Sequence, residues 1–197
     1  MILTIDIGNT NIVLGCIDGD KTLFVERLST VRTMTELEYA IDIKNVLDIY
    51  HIHRDEIEGG IISSVVPQIT TIVKLAVEKI LKKNALVVGA GIKTGLNIRI
   101  DNPAQLGSDL VVDSVAAIVE YPAPLLIFDI GTANSVCVID KNKNYIGGMI
   151  YPGIGVSLDS LTAHASQLGG ISIEAPEHMI GKNTTECMKS GLIYSSA

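Results

Sequence analysis

A short pattern that occurs twice in the chain is the feature that most constrains its fold. Residues 2–9, Ile-Leu-Thr-Ile-Asp-Ile-Gly-Asn, resemble residues 125–132, Leu-Leu-Ile-Phe-Asp-Ile-Gly-Thr, and Asn134 follows the second copy as Asn11 follows the first. Each copy predicts an apolar strand, a tight turn that contains Asp and Gly, and a second apolar strand. One repeat after about 123 residues indicates a duplicated domain rather than a solenoid, which needs several shorter repeats.

The first half of the chain alternates strand and helix patterns. Short apolar runs predict strands over residues 2–6, 11–17, 21–28, 61–66 and 85–88. Apolar residues at helical spacing predict a helix over 35–49, with Thr35 as its N-cap, and a second helix from Pro67 to about residue 83. The order βββαβαβ is typical of an α/β domain.

A pair of prolines marks the expected boundary between the two halves. Gly107-Ser108-Asp109 opens an apolar helix over 110–119, and the segment Tyr121-Pro122-Ala123-Pro124 ends it. We therefore predict two related domains, over residues 1–121 and 122–197.

Glycine and proline also divide the remaining segments. Residues 89–91 predict a loop, and an extended stretch is expected over 96–100. In the second half, an extended stretch over 149–151 is expected between tight turns at 147–148 and 152–153, where a ligand or another backbone comes close.

Composition excludes several classes of protein. The chain has 197 residues, of which 47% are apolar, and it carries a net charge of −7. Its 15 basic residues form no stripe and only 4% of its residues are aromatic, so we expect no nucleic-acid partner. No apolar run has the length of a membrane span, and the N-terminus lacks a basic signal region, so we expect a cytoplasmic protein. Three widely separated cysteines predict buried thiols.

The candidates for chemistry are the two turns that begin with Asp6-Ile7-Gly8 and Asp129-Ile130-Gly131, which we call the Asp-Gly turns. An Asp that ends a buried strand, followed by Gly and hydroxyl residues, presents backbone N–H groups to a phosphate and a carboxylate to a metal ion. A single copy is better explained as an ordinary hairpin turn, but two copies favour a ligand site. Facing each other across a cleft, the two turns would hold the phosphate tail of ATP.

This paired arrangement resembles the superfamily of actin, Hsp70 and the sugar kinases. The resemblance implies an α/β fold of two duplicated ribonuclease H-like (actin-like ATPase) domains, each a mixed sheet with flanking helices. At this level a kinase, a phosphatase, a chaperone and a filament protein all stay open.

Five segments in order narrow the resemblance to the type III pantothenate kinase family. They are Asp6-Ile7-Gly8-Asn9-Thr10, Gly107-Ser108-Asp109, Asp129-Ile130-Gly131-Thr132, residues 147–153 and Gly181-Lys182-Asn183-Thr184. The resemblance implies ATP-dependent phosphorylation of pantothenate, the first step of coenzyme A biosynthesis, by a cytoplasmic homodimer. Members of the family continue beyond the position of Ala197, so it also implies that the second domain is truncated at its C-terminus.

The resemblance assigns the nucleotide and its metal ions to the two turns. ATP would be bound by Asp6, Ile7, Gly8, Asn9, Thr10, Asn11, Ile12, Val13 and Thr132. Asp6 would also meet Mg²⁺, and Asp129 would bind a monovalent cation, K⁺ or NH₄⁺. An oxygen-lined turn suits such hard cations.

For the substrate, the resemblance points to the start of the third helix and to Thr184. Pantothenate would contact Gly107, Ser108, Asp109, Leu110 and Thr184, with Asp109 as the general base. From the residues alone, Asp109 is equally well an ordinary helix-start acid. Thr184 is also a candidate helix N-cap, a role that is compatible with a substrate contact. Leu110 stands where the family usually has arginine, which changes the expected contact with the pantothenate carboxylate.

Two rival functions follow from these departures. One is a non-catalytic relative that keeps the fold to bind nucleotide or a protein partner. The other is a kinase for a different small alcohol, or a phosphatase of the same superfamily. Pantothenate-dependent ADP formation separates them.

Overall fold

The computed structural model describes residues 1–89 and 92–196, which form two compact units, Met1–Pro122 and Ala123–Ala197. The strands of the first unit are β1 (Ile2–Ile7), β2 (Asn11–Asp18), β3 (Lys21–Ser29), β4 (Gly59–Ser64), β5 (Ala85–Val87) and β6 (Asn97–Ile98). Its helices are α1 (Glu36–Ile49), α2 (Pro67–Leu81) and α3 (Ser108–Glu120), with short 3₁₀ turns at Arg54–Glu56 and Pro103–Gln105. The predicted strands and helices of this unit are confirmed, with small shifts at their ends. The predicted loop at 89–91 lies partly outside the described residues, which exclude Ala90 and Gly91.

Five strands of the first unit form a mixed sheet in the order β3-β2-β1-β4-β5. β1 pairs antiparallel with β2 and parallel with β4, which sets Asp6 beside Val13 on one side and beside Ser63 on the other. The backbone N–H of Val65 donates to the carbonyl of Ile7 at 3.0 Å just beyond the strands. The carboxyl ends of β1 and β4 therefore lie together at one edge of the sheet.

One face of this sheet carries the core of the unit. Every second residue of β1 is buried, such as Leu3 and Ile5, as is Ile62 of β4. These side chains share a core with apolar residues of α1 and α2, such as Ile43 and Val73. α1 begins with a capping box in which Thr35 and Glu38 satisfy each other's backbone N–H groups, as the N-cap prediction required. α2 begins at Pro67, whose missing N–H costs nothing in the first turn of a helix.

The second unit repeats the beginning of the first. Its elements are β7 (Leu125–Asp129), β8 (Ala133–Ile139), β9 (Asn144–Pro152), α4 (Ile154–His164) and α5 (Thr184–Ser195). β7 pairs antiparallel with β8, and β8 with β9, as β1, β2 and β3 do. β9 covers the residues that correspond to β3 at the sequence offset that relates residue 125 to residue 2. The duplication therefore extends over three strands, beyond the two that the sequence indicated.

The predicted tight turn at residues 147–148 is wrong, because β9 runs without interruption through Gly147 and Gly148. A register shift against β8 leaves Gly147 at φ 146°, a backbone conformation that suits glycine. A Cβ atom on Gly148 would lie 2.3 Å from the carbonyl oxygen of Val136. The close approach predicted here is present, and the neighbour is the backbone of β8.

Two further predictions for the second half are wrong. β7 is not a buried strand: it lies at the edge of its sheet, and Leu126 and Phe128 are 62% and 59% exposed. Cys187 is exposed, whereas Cys16 and Cys137 are buried as expected. In the part of the chain that the structure describes, no helix has both the length and the apolar composition needed to cross a membrane.

Candidate active site

The first Asp-Gly turn joins β1 to β2 and is braced from β3. Within the turn, the N–H of Gly8 donates to the carbonyl of Asn11 at 2.9 Å. Thr30, which follows β3, donates its hydroxyl to the carbonyl of Gly8 at 2.7 Å and its N–H to the carbonyl of Thr10 at 2.9 Å. Three strands thus fix the path of the turn, which is what a preformed phosphate site requires.

The residues predicted to bind nucleotide differ in burial. Ile7 and Ile12 are core residues, so they can contribute only backbone groups to a ligand. Asn9, Thr10 and Asn11 are exposed, while Asp6 and Val13 are half-buried. The part of the turn that can meet a ligand is therefore polar.

The second turn, between β7 and β8, is held differently. The N–H of Gly131 donates to the buried side chain of Asn134 at 3.2 Å, and the N–H of Gly153 donates to the carbonyl of Thr132 at 3.0 Å. Gly153 occupies the position that Thr30 has in the first copy. A Cβ atom on Gly153 would lie 2.1 Å from the carbonyl oxygen of Gly131, so only glycine allows this approach.

The second turn is also one residue shorter than the first. Asp6 pairs with Val13 across its turn, whereas Asp129 pairs with Ser135, which precedes the counterpart of Val13. The hydroxyl of Ser135 is buried and has no hydrogen-bond partner. Paired residues of an antiparallel ladder have side chains on the same face, so an unsatisfied hydroxyl lies next to the Asp129 carboxylate.

The first turn of α3 lies against the end of β4. Gly107 is the N-cap, and Ser108 and Asp109 follow it, so Asp109 has the predicted place at a helix N-terminus. The hydroxyl of Ser108 bonds to both backbone groups of Ser64. Asp109 is half-buried and accepts a hydrogen bond from the N–H of Leu110 at 2.8 Å. A Cβ atom on Gly107 would meet the Asp109 carboxylate at 2.3 Å, so the glycine leaves room for it.

A cavity of about 590 Å³ opens beside this helix terminus. Its lining is mostly apolar, with a few hydroxyl groups, and consists of Ser64, Val65, Val88, Gly89, Ile92, Thr94, Ile98, Pro103, Ala104, Leu106, Gly107, Ser108 and Val111. The predicted substrate residues Gly107 and Ser108 belong to this wall, and Asp109 and Leu110 follow them in α3. A cavity of this size and lining suits a small molecule with an apolar body and a few polar groups.

Thr184 lies in the second unit and does not cap a helix. Asn183 is the N-cap of α5, and its side chain accepts from the N–H of Glu186 at 2.9 Å, so Thr184 is the first helical residue. The N-cap alternative for Thr184 is therefore wrong. Thr184 is exposed and lines an apolar cavity between α4 and α5.

Sequence reasoning missed four of the residues that support these sites: Thr30, Ser63, Ser64 and Ser135. Only Ser63 and Ser64 carried a usable signal, because polar residues at the end of an apolar strand were the same sign that singled out Asp6. The close backbone approach predicted at residues 152–153 is present at Gly153.

No group of three or more His, Cys, Asp or Glu side chains suited to a metal ion occurs among the described residues. A cation at either turn would therefore depend on one carboxylate together with hydroxyl, backbone or ligand oxygens. That is the pattern Mg²⁺ has with nucleotide substrates, where phosphates and water complete the shell.

Two solved structures share this fold across nearly the whole chain. A conserved putative Baf family transcriptional activator from Campylobacter jejuni is 18% identical, with a TM-score of 0.59, over 98% of this chain and 75% of its own. The activator of the 2-hydroxyisocaproyl-CoA dehydratase from Clostridium difficile, solved with bound ADPNP, is 13% identical, with a TM-score of 0.52, over 98% of this chain and 64% of its own. Together with the duplicated strand, Asp-Gly turn and strand units, these likenesses give the chain the duplicated α/β fold of the actin-like ATPases.

Within that class the family is defined by sequence. Residues 2–197 match the type III pantothenate kinase family. Type III pantothenate kinases of an Exiguobacterium and a Geobacillus species are 43% and 45% identical over 194 residues, covering 98% of this chain. The chain belongs to the type III pantothenate kinase family, and it spans 76% and 75% of the length of these two relatives.

Proposed function

We propose that this chain transfers the γ-phosphoryl group of ATP to pantothenate, the first step of coenzyme A biosynthesis, in the cytoplasm. The observation that carries the proposal is the family match over residues 2–197. The braced Asp-Gly turns and the cavity at the start of α3 support it, because phosphoryl transfer needs a phosphate cradle and a nearby pocket for the acceptor alcohol.

ATP binds through residues 6–13 and Thr132. The backbone of the first turn and the hydroxyls of its exposed residues meet the phosphates, and the half-buried Asp6 carboxylate at the end of β1 fits Mg²⁺, which takes one or two carboxylates and completes its shell with phosphate oxygens. When bound, the ion neutralises charge that develops on the phosphates.

A monovalent cation, K⁺ or NH₄⁺, fits the second turn. Asp129 supplies a carboxylate there, and the buried Ser135 hydroxyl beside it has no protein partner, although buried hydroxyls are almost always satisfied. A bound cation reduces repulsion between the phosphates. The test is a thermal melt in KCl and in choline chloride: the wild-type chain gains stability from K⁺, and Ser135→Ala loses most of that gain. Equal gains in both proteins would exclude Ser135 from the site.

Pantothenate occupies the cavity beside α3, with Asp109 as the general base. The apolar lining suits the aliphatic part of the substrate, and Gly107, at the start of α3, belongs to the wall of the cavity. Asp109 lies in the first turn of α3, directly after Ser108 of the cavity wall, and in this proposal its carboxylate accepts the hydroxyl proton as the oxygen attacks phosphorus. Leu110 and Thr184 complete the proposed substrate contacts.

The test of the base compares two variants of α3. Asp109→Asn retains ATP binding and loses turnover by about a hundredfold or more, since general-base catalysis contributes that much. Asp113→Asn, one helical turn further on, is the matched control and keeps most of its turnover. Undiminished turnover of Asp109→Asn would remove the base assignment.

A kinase for another small alcohol is the second candidate. Leu110 favours it, because a leucine cannot form the charged contact with a carboxylate that arginine forms. ADP release measured with pantothenate and with a panel of small primary alcohols separates the two. Product with another alcohol alone would support the second candidate, and no product with any would support a nucleotide-binding relative.

The active form is a homodimer in this proposal. α3 is apolar on several faces, and Val119, near its end, is 83% exposed. Light scattering after gel filtration gives the mass, and Val119→Glu lowers it if α3 forms the shared surface. An unchanged dimer mass would place the interface elsewhere.

A further inference from the structure

The hydroxyl of Ser108 is completely engaged inside the protein. It donates to the carbonyl of Ser64 at 2.9 Å, and it accepts from the N–H of Ser64 at 3.0 Å and from the hydroxyl of Ser63 at 3.2 Å. A serine hydroxyl has one proton to donate and two lone pairs to accept. These three bonds use its whole capacity, so it has none left for a substrate.

The three bonds connect residues that are 44 and 45 positions apart in the chain. Ser63 and Ser64 end β4, and Ser108 is the first residue of α3. A further pair of hydroxyl contacts, Ser64 to Thr70 at 2.7 Å and Thr70 to the carbonyl of Val66 at 3.0 Å, ties the same strand end to α2. The start of α3 is therefore attached to a rigid corner of the first unit.

The same strand end is in register with the first Asp-Gly turn. In the parallel pair of β1 and β4, Ser63 lies beside Asp6 and Ser64 beside Ile7. Backbone and hydroxyl bonds thus run continuously from the turn, through β4, to Ser108 and its neighbour Asp109. The distance between Asp109 and the turn is set by this connection.

We propose that Ser108 is a positioning residue, which fixes the Asp109 carboxylate relative to the phosphate turn by clamping α3 to the end of β4. This role replaces the substrate contact suggested by the sequence. It rests on the proposed function of Asp109 as the base. Because in-line attack tolerates little displacement of the groups involved, loosening the clamp lowers the rate of the chemical step more than it weakens substrate binding.

The experiment measures steady-state kinetics of Ser108→Ala, with Ser108→Thr as the rescuing variant. Ser108→Ala loses the clamp, and kcat falls about tenfold or more while KM for pantothenate changes by less than about twofold. Ser108→Thr keeps a hydroxyl and recovers most of kcat. Ser114→Ala is the matched control: it removes a buried hydroxyl of the same helix that makes no hydrogen bond, so kcat stays close to the wild-type value. Circular dichroism checks that each variant is folded.

A raised KM for pantothenate with unchanged kcat would show that Ser108 contacts the substrate, and would overturn the proposal. Amide hydrogen exchange distinguishes failure of the Ser108 clamp from failure of Asp109 as the general base. In Ser108→Ala, the amides of residues 109–113 exchange faster than in the wild-type chain, whichever group is the base. Unchanged exchange would refute the clamp even if Asp109→Asn abolishes turnover, and faster exchange with an active Asp109→Asn would refute only the base.

Discussion

Replacing Gly153 by alanine tests whether the second turn is braced by the end of β9. The added Cβ atom would lie 2.1 Å from the carbonyl oxygen of Gly131 and 2.8 Å from that of Thr132. Both obstacles are backbone atoms, which cannot rotate aside as a side chain can. Gly153 has φ −69° and ψ 164°, which alanine adopts freely, so any effect arises from this contact and not from backbone strain.

The size of the effect follows from the overlap. Carbon and oxygen atoms in contact stay about 3.3 Å or more apart, so the turn has to withdraw by roughly 1 Å. The bond from the Gly153 N–H to the Thr132 carbonyl, now 3.0 Å, is lost in the process. Overpacking of this kind costs about 1–3 kcal/mol of stability. A displacement of about 1 Å at a binding turn lowers kcat/KM for ATP by about a hundredfold.

The assay couples ADP release to NADH oxidation, with thermal unfolding followed in parallel. Gly155→Ala is the control, because a Cβ atom there meets nothing within 4 Å and alanine favours the helix α4. We expect Gly155→Ala to keep its activity and to be slightly more stable. If Gly153→Ala had the same kcat/KM for ATP as Gly155→Ala, the second turn would not depend on the close approach of Gly153 to the Gly131 carbonyl, and the prediction would be refuted.

Three further predictions concern stability in the first unit. Ser114→Ala removes a fully buried hydroxyl that has no partner and raises stability by about 1 kcal/mol in urea titration; a loss would show that the hydroxyl is bonded. Ile62→Ala costs about 2–5 kcal/mol, whereas Leu86→Ala on the neighbouring strand, 51% exposed, costs far less; similar losses would contradict the assigned core. Hydrogen bonds from the N–H and hydroxyl of Thr35 lower the pKa of the Glu38 carboxyl in the folded state. The ionised carboxylate therefore stabilises the fold above the unfolded-state pKa of about 4.3, and this contribution is lost as pH falls through the folded-state pKa. The stability difference between wild type and Glu38→Gln should therefore shrink as pH falls from about 5 to 3, and a constant difference would exclude this cause.

Local sequence patterns predicted most of the first unit because its helices and strands begin and end at residues that favour those ends. Thr35 and Glu38 cap α1, Pro67 begins α2, and apolar runs with turns between them give the strands. The second unit was predicted less well. α4 was missed because its residues, with Gly155 in the first turn, lack a regular apolar stripe, and Asn183 and Thr184 are both competent caps, so sequence alone did not choose between them.

The third strand of the duplication shows another limit. β3 and β9 have no identical residue at equivalent positions; their sequences are Lys-Thr-Leu-Phe-Val-Glu-Arg-Leu-Ser and Asn-Tyr-Ile-Gly-Gly-Met-Ile-Tyr-Pro. Their equivalence is visible only because each pairs with the second strand of its copy and then braces a turn, through Thr30 in one case and Gly153 in the other. Backbone pairing can persist where side chains have changed completely, and a sequence comparison does not detect it.

Only those parts of the candidate site that are local sequence motifs could be predicted. The Asp-Gly turns and the start of α3 are local motifs, so they were found. The bonds between Ser108 and the end of β4 join distant residues through one hydroxyl and two backbone groups, which no periodicity records. Site supports of this kind become apparent only when the sheet register is known.

The residues that line the cavity beside α3 differ in how well they should tolerate substitution, because some lie in regular elements and others in loops. Ser64 and Ser108 belong to a strand and a helix of the fold, whereas Ile92, Thr94 and Leu106 are loop residues of the connection between β5 and α3. Substitutions in that connection can reshape the cavity without moving the sheet end that carries Asp6. If the proposed pantothenate site is correct, engineering for pantothenate analogues should therefore begin at these three positions and leave the serines untouched.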